Sequence, residues 1–413
     1  MAGNFEGIKT RNFGIEIEMT GLTRCQAAKA IAKVLGGTAH HEGGSYDKYT
    51  VDDEQGREWS IVYDGSIKCV DANGNHASKS YSVELNSPVL GYEDIPLLQE
   101  VIRALRHAKG RCGPEYCFGT HIHISADDYT PQQIRNLVNI FASKEDFLWD
   151  ALQVSSAREG YCSKSDKHFV EQLNQKKPKT IEKIKELWYR GNMSEQYRHY
   201  SNTRYHALNL HSYFQHGHYE IRCCNASLHA GEVRAQIVLA LAISNAAMTK
   251  KYCSPSVSHS DNMRYSFRVW LLNLGLIGEE YKNCRTHLLK HLTGDIAWRH
   301  PEDGVAQRER LRQERIATRS QVERASVDMP NDGMPAREQE QRNESSCDER
   351  VGRLSIQGRH TFGFEQHPVS ASGDPVSEVR EEVGETPDEN LEAAVSDCDD
   401  FEETEDEGMA MSM

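Results

Sequence analysis

The stretch N-F-G-I-E-I-E-M, residues 12–19, alternates apolar and polar side chains with the two-residue period of a β-strand. That period sets Phe13, Ile15, Ile17 and Met19 on one face and Glu16 and Glu18 on the other. At about 7 Å and an effective dielectric of about 20, two such carboxylates repel by about 2 kcal/mol, so an enclosed face needs positive charge beside them. T-H-I-H-I-S, residues 120–125, repeats the pattern with Ile122 and Ile124 opposite His121 and His123, and H-x-H on a strand is a metal-ligand spacing. In H-Y-E-I-R-C, residues 218–223, Glu220 shares a face with Arg222, an acid beside a cation of the phosphate-binding type. Y-S-V-E-L-N, residues 81–86, adds Glu84 opposite Val83 and Leu85. These strands predict an α+β fold. One sheet face packs on helices, and the other is a concave polar site lined by Glu16, Glu18, Glu84, His121, Glu220 and Arg222. Oxygen donors dominate that face, which favours Mg²⁺ or Mn²⁺ over Zn²⁺.

Helix signals surround the strands. Residues 22–35 stop at Gly36-Gly37, residues 95–109 stop at Gly110, and Pro131 opens a helix after Thr130. Further helices are expected near 133–152, 232–248, 264–274 and 279–292. Ile181, Ile184, Leu187 and Trp188 recur at helical spacing, so the lysine-rich stretch around them reads as a surface helix.

The chain has 413 residues and a net charge of −14. Residues 371–413 carry sixteen acids and one Arg, a net −15, which leaves the first 370 residues at +1. A near-neutral body argues against dedicated nucleic-acid binding. The first twelve residues are polar and lack a signal-peptide apolar run, and the longest apolar stretch, 237–248, is too short to span a bilayer. Eleven cysteines without a C-x-x-C spacing read as reduced thiols of a cytoplasmic protein, and a zinc site on Cys112, Cys117, Cys223 and Cys224 is disfavoured. Residues 301–413 contain no Trp or Tyr, so 301–370 are expected to be a polar, Arg/Glu-rich disordered linker and 371–413 an acidic disordered tail. Within the linker, Arg308, Arg310, Arg312, Arg315, Arg319 and Arg324 interleave with Glu309, Glu314 and Glu323 as on a solvated helix. The tail reads as a solubilising extension, with recruitment of a basic protein partner as its sharper role.

The ordered motifs F-G-I-E-I-E-M (13–19), G-R-E-W-S-I-V-Y-D-G-S-I (56–67), V-E-L-N-S-P-V-L (83–90), G-T-H-I-H-I-S (119–125) and A-L-N-L with Y-E-I-R (207–210, 219–222) resemble the amidoligases. These fall within the carboxylate–amine/ammonia ligase superfamily that includes glutamine synthetase and glutamate–cysteine ligase. The resemblance covers roughly residues 11–250 and places the catalytic domain in residues 1–300. It implies a curved antiparallel, glutamine-synthetase-like sheet backed by helices, with ATP and two or more divalent ions on its polar face. Carried over, Glu16, Glu18, Glu84, His121 and Glu220 would be metal ligands, and His123 would sit near the substrate and the transferring phosphoryl group. Arg222 and Arg204 would meet ATP phosphates, and Asp64 and Ser66 would line the site, with Asp64 the first candidate for the base.

The implied reaction joins a small-molecule or peptide carboxylate to an amine as an amide or isopeptide, through an acyl phosphate. Two departures stand out. Cys223-Cys224-Asn225-Ala226-Ser227 replaces the family's small-residue and Thr turn, and no counterpart to a further metal-shell carboxylate is evident beside Glu84. Two alternatives remain open: a metal-dependent hydrolase built on the H-x-H strand, and a non-catalytic binding module that kept the sheet. No membrane association is expected.

Overall fold

Strand alternation and helix punctuation assemble into one open, eight-stranded sheet in the computed structural model, which describes residues 5–327 apart from 199 and 258. The strands are β1 (Phe13–Met19), β2 (Ala39–Gly43), β3 (Lys48–Asp52), β4 (Glu58–Val62), β5 (Val83–Asn86), β6 (Gly119–Ser125), β7 (Leu208–Asn209) and β8 (His218–Asn225). Their order across the sheet is β2-β3-β4-β5-β1-β6-β8-β7, and every pairing is antiparallel. The most informative strand, β1, is therefore central, between β5 and β6.

Ten α-helices lie among the described residues. They are α1 (Arg24–Leu35), α2 (Ile95–His107), α3 (Pro131–Leu152), α4 (Lys167–Lys176), α5 (Ile181–Trp188), α6 (Leu210–His216), α7 (Ala230–Thr249), α8 (Met263–Asn273), α9 (Lys282–Leu289) and α10 (Pro301–Val327). Helix α1 starts at a capping box between Thr23 and Gln26 and ends at Gly36, whose φ of 68° is a left-handed cap. Helix α3 opens with the same device, Thr130 and Gln133, and Pro131 at its first position.

The apolar face of the sheet is fully packed. Phe13, Ile15, Ile17 and Met19 are at most 1% exposed. With Val83, Leu85, Ile122, Ile124, Tyr219 and Ile221 they form one core with Ile31 of α1, Leu98 and Ile102 of α2, Phe141 of α3 and Ile237 and Leu241 of α7. The apolar run inside α7 is explained by this burial: the helix is apolar nearly all round because it lies inside the core. No helix among the described residues is long and apolar enough to cross a membrane.

Residues 1–301 form one compact unit, and α10 belongs to the second. Pro301–Val327 is a single helix of 27 residues, where a disordered linker was expected from residue 301. The interleaved charges account for it: Arg310 approaches Glu314, and Arg312 approaches Glu309, at i,i+4 and i,i+3 spacing. The rest of the linker and the acidic tail, 328–413, lie outside the described residues.

Candidate functional site

Cross-strand register builds the polar face. Glu16 of β1 stands opposite His121 of β6 on one side and Asn86 of β5 on the other. Glu18 stands opposite Glu84, and His123 opposite Glu220 of β8. Two groups of ligand-type side chains result, Glu16–His123–Glu220 and Glu18–Asp64–Glu84, each with one donor atom per residue within 4.8 Å of the others.

The first group carries its own positive charge. His121 Nδ1 lies 3.1 Å from Glu16 Oε2 and 3.4 Å from Glu220 Oε1, while His123 Nε2 lies 3.1 Å from Glu16 Oε1. Arg222 Nη1 donates to Glu220 Oε1, and Asn209 Nδ2 donates to Glu220 Oε2 at 2.6 Å. Burial pushes the Glu16 carboxyl up, but His123 and His121 outweigh it and hold Glu16 well below the usual carboxylate range. Burial likewise raises Glu220, and Arg222 with the two imidazoles more than reverses that. His123 is pushed down by burial and up, to a greater net extent, by Glu16.

The second group does not neutralise itself. Glu18 Oε2 accepts the Gly119 amide at 2.7 Å, and its nearest cationic-type atom is His121 Nε2 at 3.9 Å. Neither Asp64 nor Glu84 forms an ion pair with a Lys or Arg among the described residues. Burial, then Glu16, Asp64 and Glu18, push the Glu84 carboxyl well above its ordinary range. Like charges directly opposite on neighbouring strands are destabilising. Close by, Asn86 Oδ1 is buried with no hydrogen-bond donor. Three carboxylates and an unpaired carbonyl oxygen are a donor set suited to a hard dication.

Asp64 stands in the turn after β4. Its Oδ1 accepts the Ser66 amide at 2.6 Å, so one oxygen shapes the D-G-S turn while the carboxylate stays within the group. The side chain of Ser66 is exposed and belongs to neither group. Arg204 belongs to neither group as well: its guanidinium lies 5.9 Å from the ring centres of both Tyr200 and Tyr205. Arg222 is 7% exposed, and its Nε donates to the Tyr161 carbonyl at 3.2 Å.

Several contributors escaped the sequence reading. His218 shares the parity of Glu220 and Arg222, and its Nδ1 lies 3.1 Å from His123 Nδ1 and 3.0 Å from Ser212 Oγ. Burial and the neighbouring His123 and His216 push His218 down to about 4, which keeps it neutral. Buried Arg158 donates to the carbonyls of Arg222 and Cys224, at 2.8 and 2.7 Å, and so fixes the end of β8. A Cβ at Gly119 would come within 2.5 Å of Arg158 and 2.8 Å of His121, which explains the glycine that precedes T-H-I-H. Asn209 was quoted in A-L-N-L, where the sequence gives no sign that it pairs with Glu220.

The family comparison now decides the lineage. The model of the family described as "putative amidoligase enzyme" matches residues 9–244, more than half of the chain, and spans every strand of the polar face. The chain belongs to the amidoligase family. No curated protein matches it. The amidoligase match ends inside α7, so α8, α9 and α10 lie beyond it. At the family's post-E-x-R turn, β8 instead runs on through Cys223, Cys224 and Asn225. No cysteine joins either group on the polar face among the described residues, which sets aside a zinc site on Cys112, Cys117, Cys223 and Cys224 there.

Proposed function

We propose that this amidoligase is an ATP- and divalent-cation-dependent carboxylate–amine ligase that works on the polar face of the sheet. One observation carries the reading: three converging carboxylates, Glu18, Asp64 and Glu84, without a cation of their own, stand beside a histidine- and arginine-balanced group. With dications bound, the two groups together would gather the negative charge of a nucleotide and a carboxylate substrate.

Glu18, Glu84 and Asp64 would hold one Mg²⁺ or Mn²⁺, and Glu16, Glu220 and His121 a second. When bound, these ions neutralise the crowded phosphate and carboxylate oxygens. Arg222, anchored by Tyr161 and Glu220, presents a planar guanidinium to a phosphate, and Arg204 offers a second from the tyrosine-lined rim. His123, oriented by His218, faces the transferring group. In the reaction a substrate carboxylate oxygen bonds to the γ-phosphorus as the bond to ADP breaks. The amine nitrogen then bonds to the acyl carbon and phosphate leaves. The ammonium proton is lost to a base before that attack. No protein nucleophile is needed, so positioning and charge stabilisation supply the rate.

The test is release of ADP and phosphate by purified protein with ATP and Mg²⁺ across pooled amino acids, amines and peptides. Turnover that requires both a carboxylate and an amine, and disappears in Glu16→Gln and Glu220→Gln, supports the ligase. Metal-dependent cleavage of a substrate without ATP would replace it with the hydrolase, and ligand binding indifferent to Glu16→Gln would point to a non-catalytic module.

A further inference from the structure

A second, separate arrangement of ligand-type side chains lies where α7 meets α9. His229, Glu232 and His287 each bring one donor atom within 4.8 Å of the others. We propose that they form a transition-metal site of the Zn²⁺ class, independent of the polar face of the sheet.

The geometry begins with spacing. His229 precedes α7 and Glu232 lies in its first turn, while His287 comes from the last turn of α9. The two imidazole rings are 5.0 Å apart between centres. A Cβ placed on Gly231 would come 2.5 Å from His287 Nε2 and 3.2 Å from His229 Cε1. Glycine at 231 therefore keeps open the gap between the rings, a cradle that any side chain would fill. The Glu232 carboxylate is oriented by an outer partner, as ligating carboxylates usually are: Ser227 Oγ donates to Oε2 at 2.6 Å, while Lys290 occupies Oε1.

Two imidazoles and one carboxylate are the three-ligand set of open zinc sites, and imidazole suits Zn²⁺ better than Mg²⁺. A groove of about 440 Å³ lies alongside, lined by His229 and Glu232 with Cys112, Arg111 and Tyr116. The field of α7 opposes a cation at its N-terminus, and the carboxylate of Glu232 with the carbonyl end of α9 offsets it. Two groups exchange on binding. Lys290, whose side chain is 39% exposed, swings from Glu232 to water, and the contact from the Glu232 amide to His229 Nδ1, already long at 3.3 Å, gives way. The site ties α9, beyond the family match, to α7, which the match enters.

The experiment is Zn²⁺ titration by calorimetry on full-length protein freed of metal by chelation, in excess Mg²⁺ to occupy hard sites. Co²⁺ spectra report the ligand field in parallel. His229→Asn keeps a strong helix N-cap while it removes the imidazole, and His287→Gln keeps a polar side chain. Thermal unfolding without zinc verifies that both variants fold. The site requires zinc binding by the wild type and, in each variant, a loss greater than the ~10–100-fold that an outer partner typically costs. No zinc binding by the wild type, or unchanged affinity in either variant, overturns the proposal.

Discussion

The two groups on the polar face are each anchored on the central strand β1, by Glu16 and Glu18 two residues apart, and are electrostatic opposites. Around Glu16, the protein brings His121, His123 and Arg222 to meet its acids. Around Glu18, it brings Asp64 and Glu84 and no Lys or Arg among the described residues. Desolvation penalises both groups, and only the first is compensated from within. The difference separates a group stable as folded from one that stores repulsion until a cation arrives.

The largest expected effect comes from breaking the compensated group. Arg222→Ala leaves Glu220 buried without its guanidinium, and loss of one partner of a buried pair typically costs about 3–5 kcal/mol. Denaturant unfolding in chelator measures it. A loss under about 1 kcal/mol would mean that Glu220 is neutralised some other way.

Removing charge from the second group has the opposite sign. Glu84→Gln relieves the repulsion from Glu16, Asp64 and Glu18, so the metal-free variant should melt a few degrees higher, corresponding to about 1 kcal/mol. The same variant should lose the stabilisation that Mg²⁺ or Mn²⁺ gives the wild type. A lower melting temperature in chelator would show that the hydrogen bond between Asn86 and Glu84 outweighs the repulsion.

Acidity sharpens the contrast. Glu16 and Glu220 are held below their ordinary range, so their stabilisation is present above the unfolded-state pKa and is lost as pH falls through the folded one. Glu84 is held above its range, so its unfavourable charge is relieved as pH falls through that raised value. Below that raised value a dication competes with a proton for Glu84. Its affinity should therefore drop as pH falls below the raised pKa, by up to about tenfold per pH unit for one proton displaced. Calorimetry across pH in buffers of different ionisation enthalpy checks both the slope and the proton release.

The smallest effect is expected at Ser66. Its backbone amide, not its hydroxyl, holds Asp64, so Ser66→Ala should change stability and metal affinity by less than about 0.5 kcal/mol. A larger loss of ATP affinity would give the hydroxyl a direct nucleotide contact.

Much of this face was legible in the sequence, because a half-buried strand writes its orientation into every second residue. Alternation in 13–19, 83–86, 119–125 and 218–223 was enough to set Glu16, Glu18, Glu84, His121, Glu220 and Arg222 on one side. Strands β2 and β3 were not called as strands, and β4 entered only through the 56–67 motif: β2 is mostly exposed, and β3 and β4 bury few apolar residues, chiefly Val51, Trp59 and Ile61. The division into two groups was beyond reach as well, since it depends on register. Only the pairing of Glu18 with Glu84 and of Glu16 with His121 separates them, and register comes from contacts distant in sequence. Asp64 joins Glu18 and Glu84 by way of a turn rather than a strand, so alternation could not place it there. His218 was readable by parity and was passed over.

The most direct test of a dication-requiring carboxylate group is Mn²⁺ binding followed by electron paramagnetic resonance on chelator-treated protein, with and without ATP, in the wild type, Glu84→Gln and Ser66→Ala. The expected result is Mn²⁺ held by the wild type and by Ser66→Ala, lost from one site in Glu84→Gln, and tightened by ATP in the first two. Equal Mn²⁺ binding in all three proteins, or none in the wild type, would contradict it.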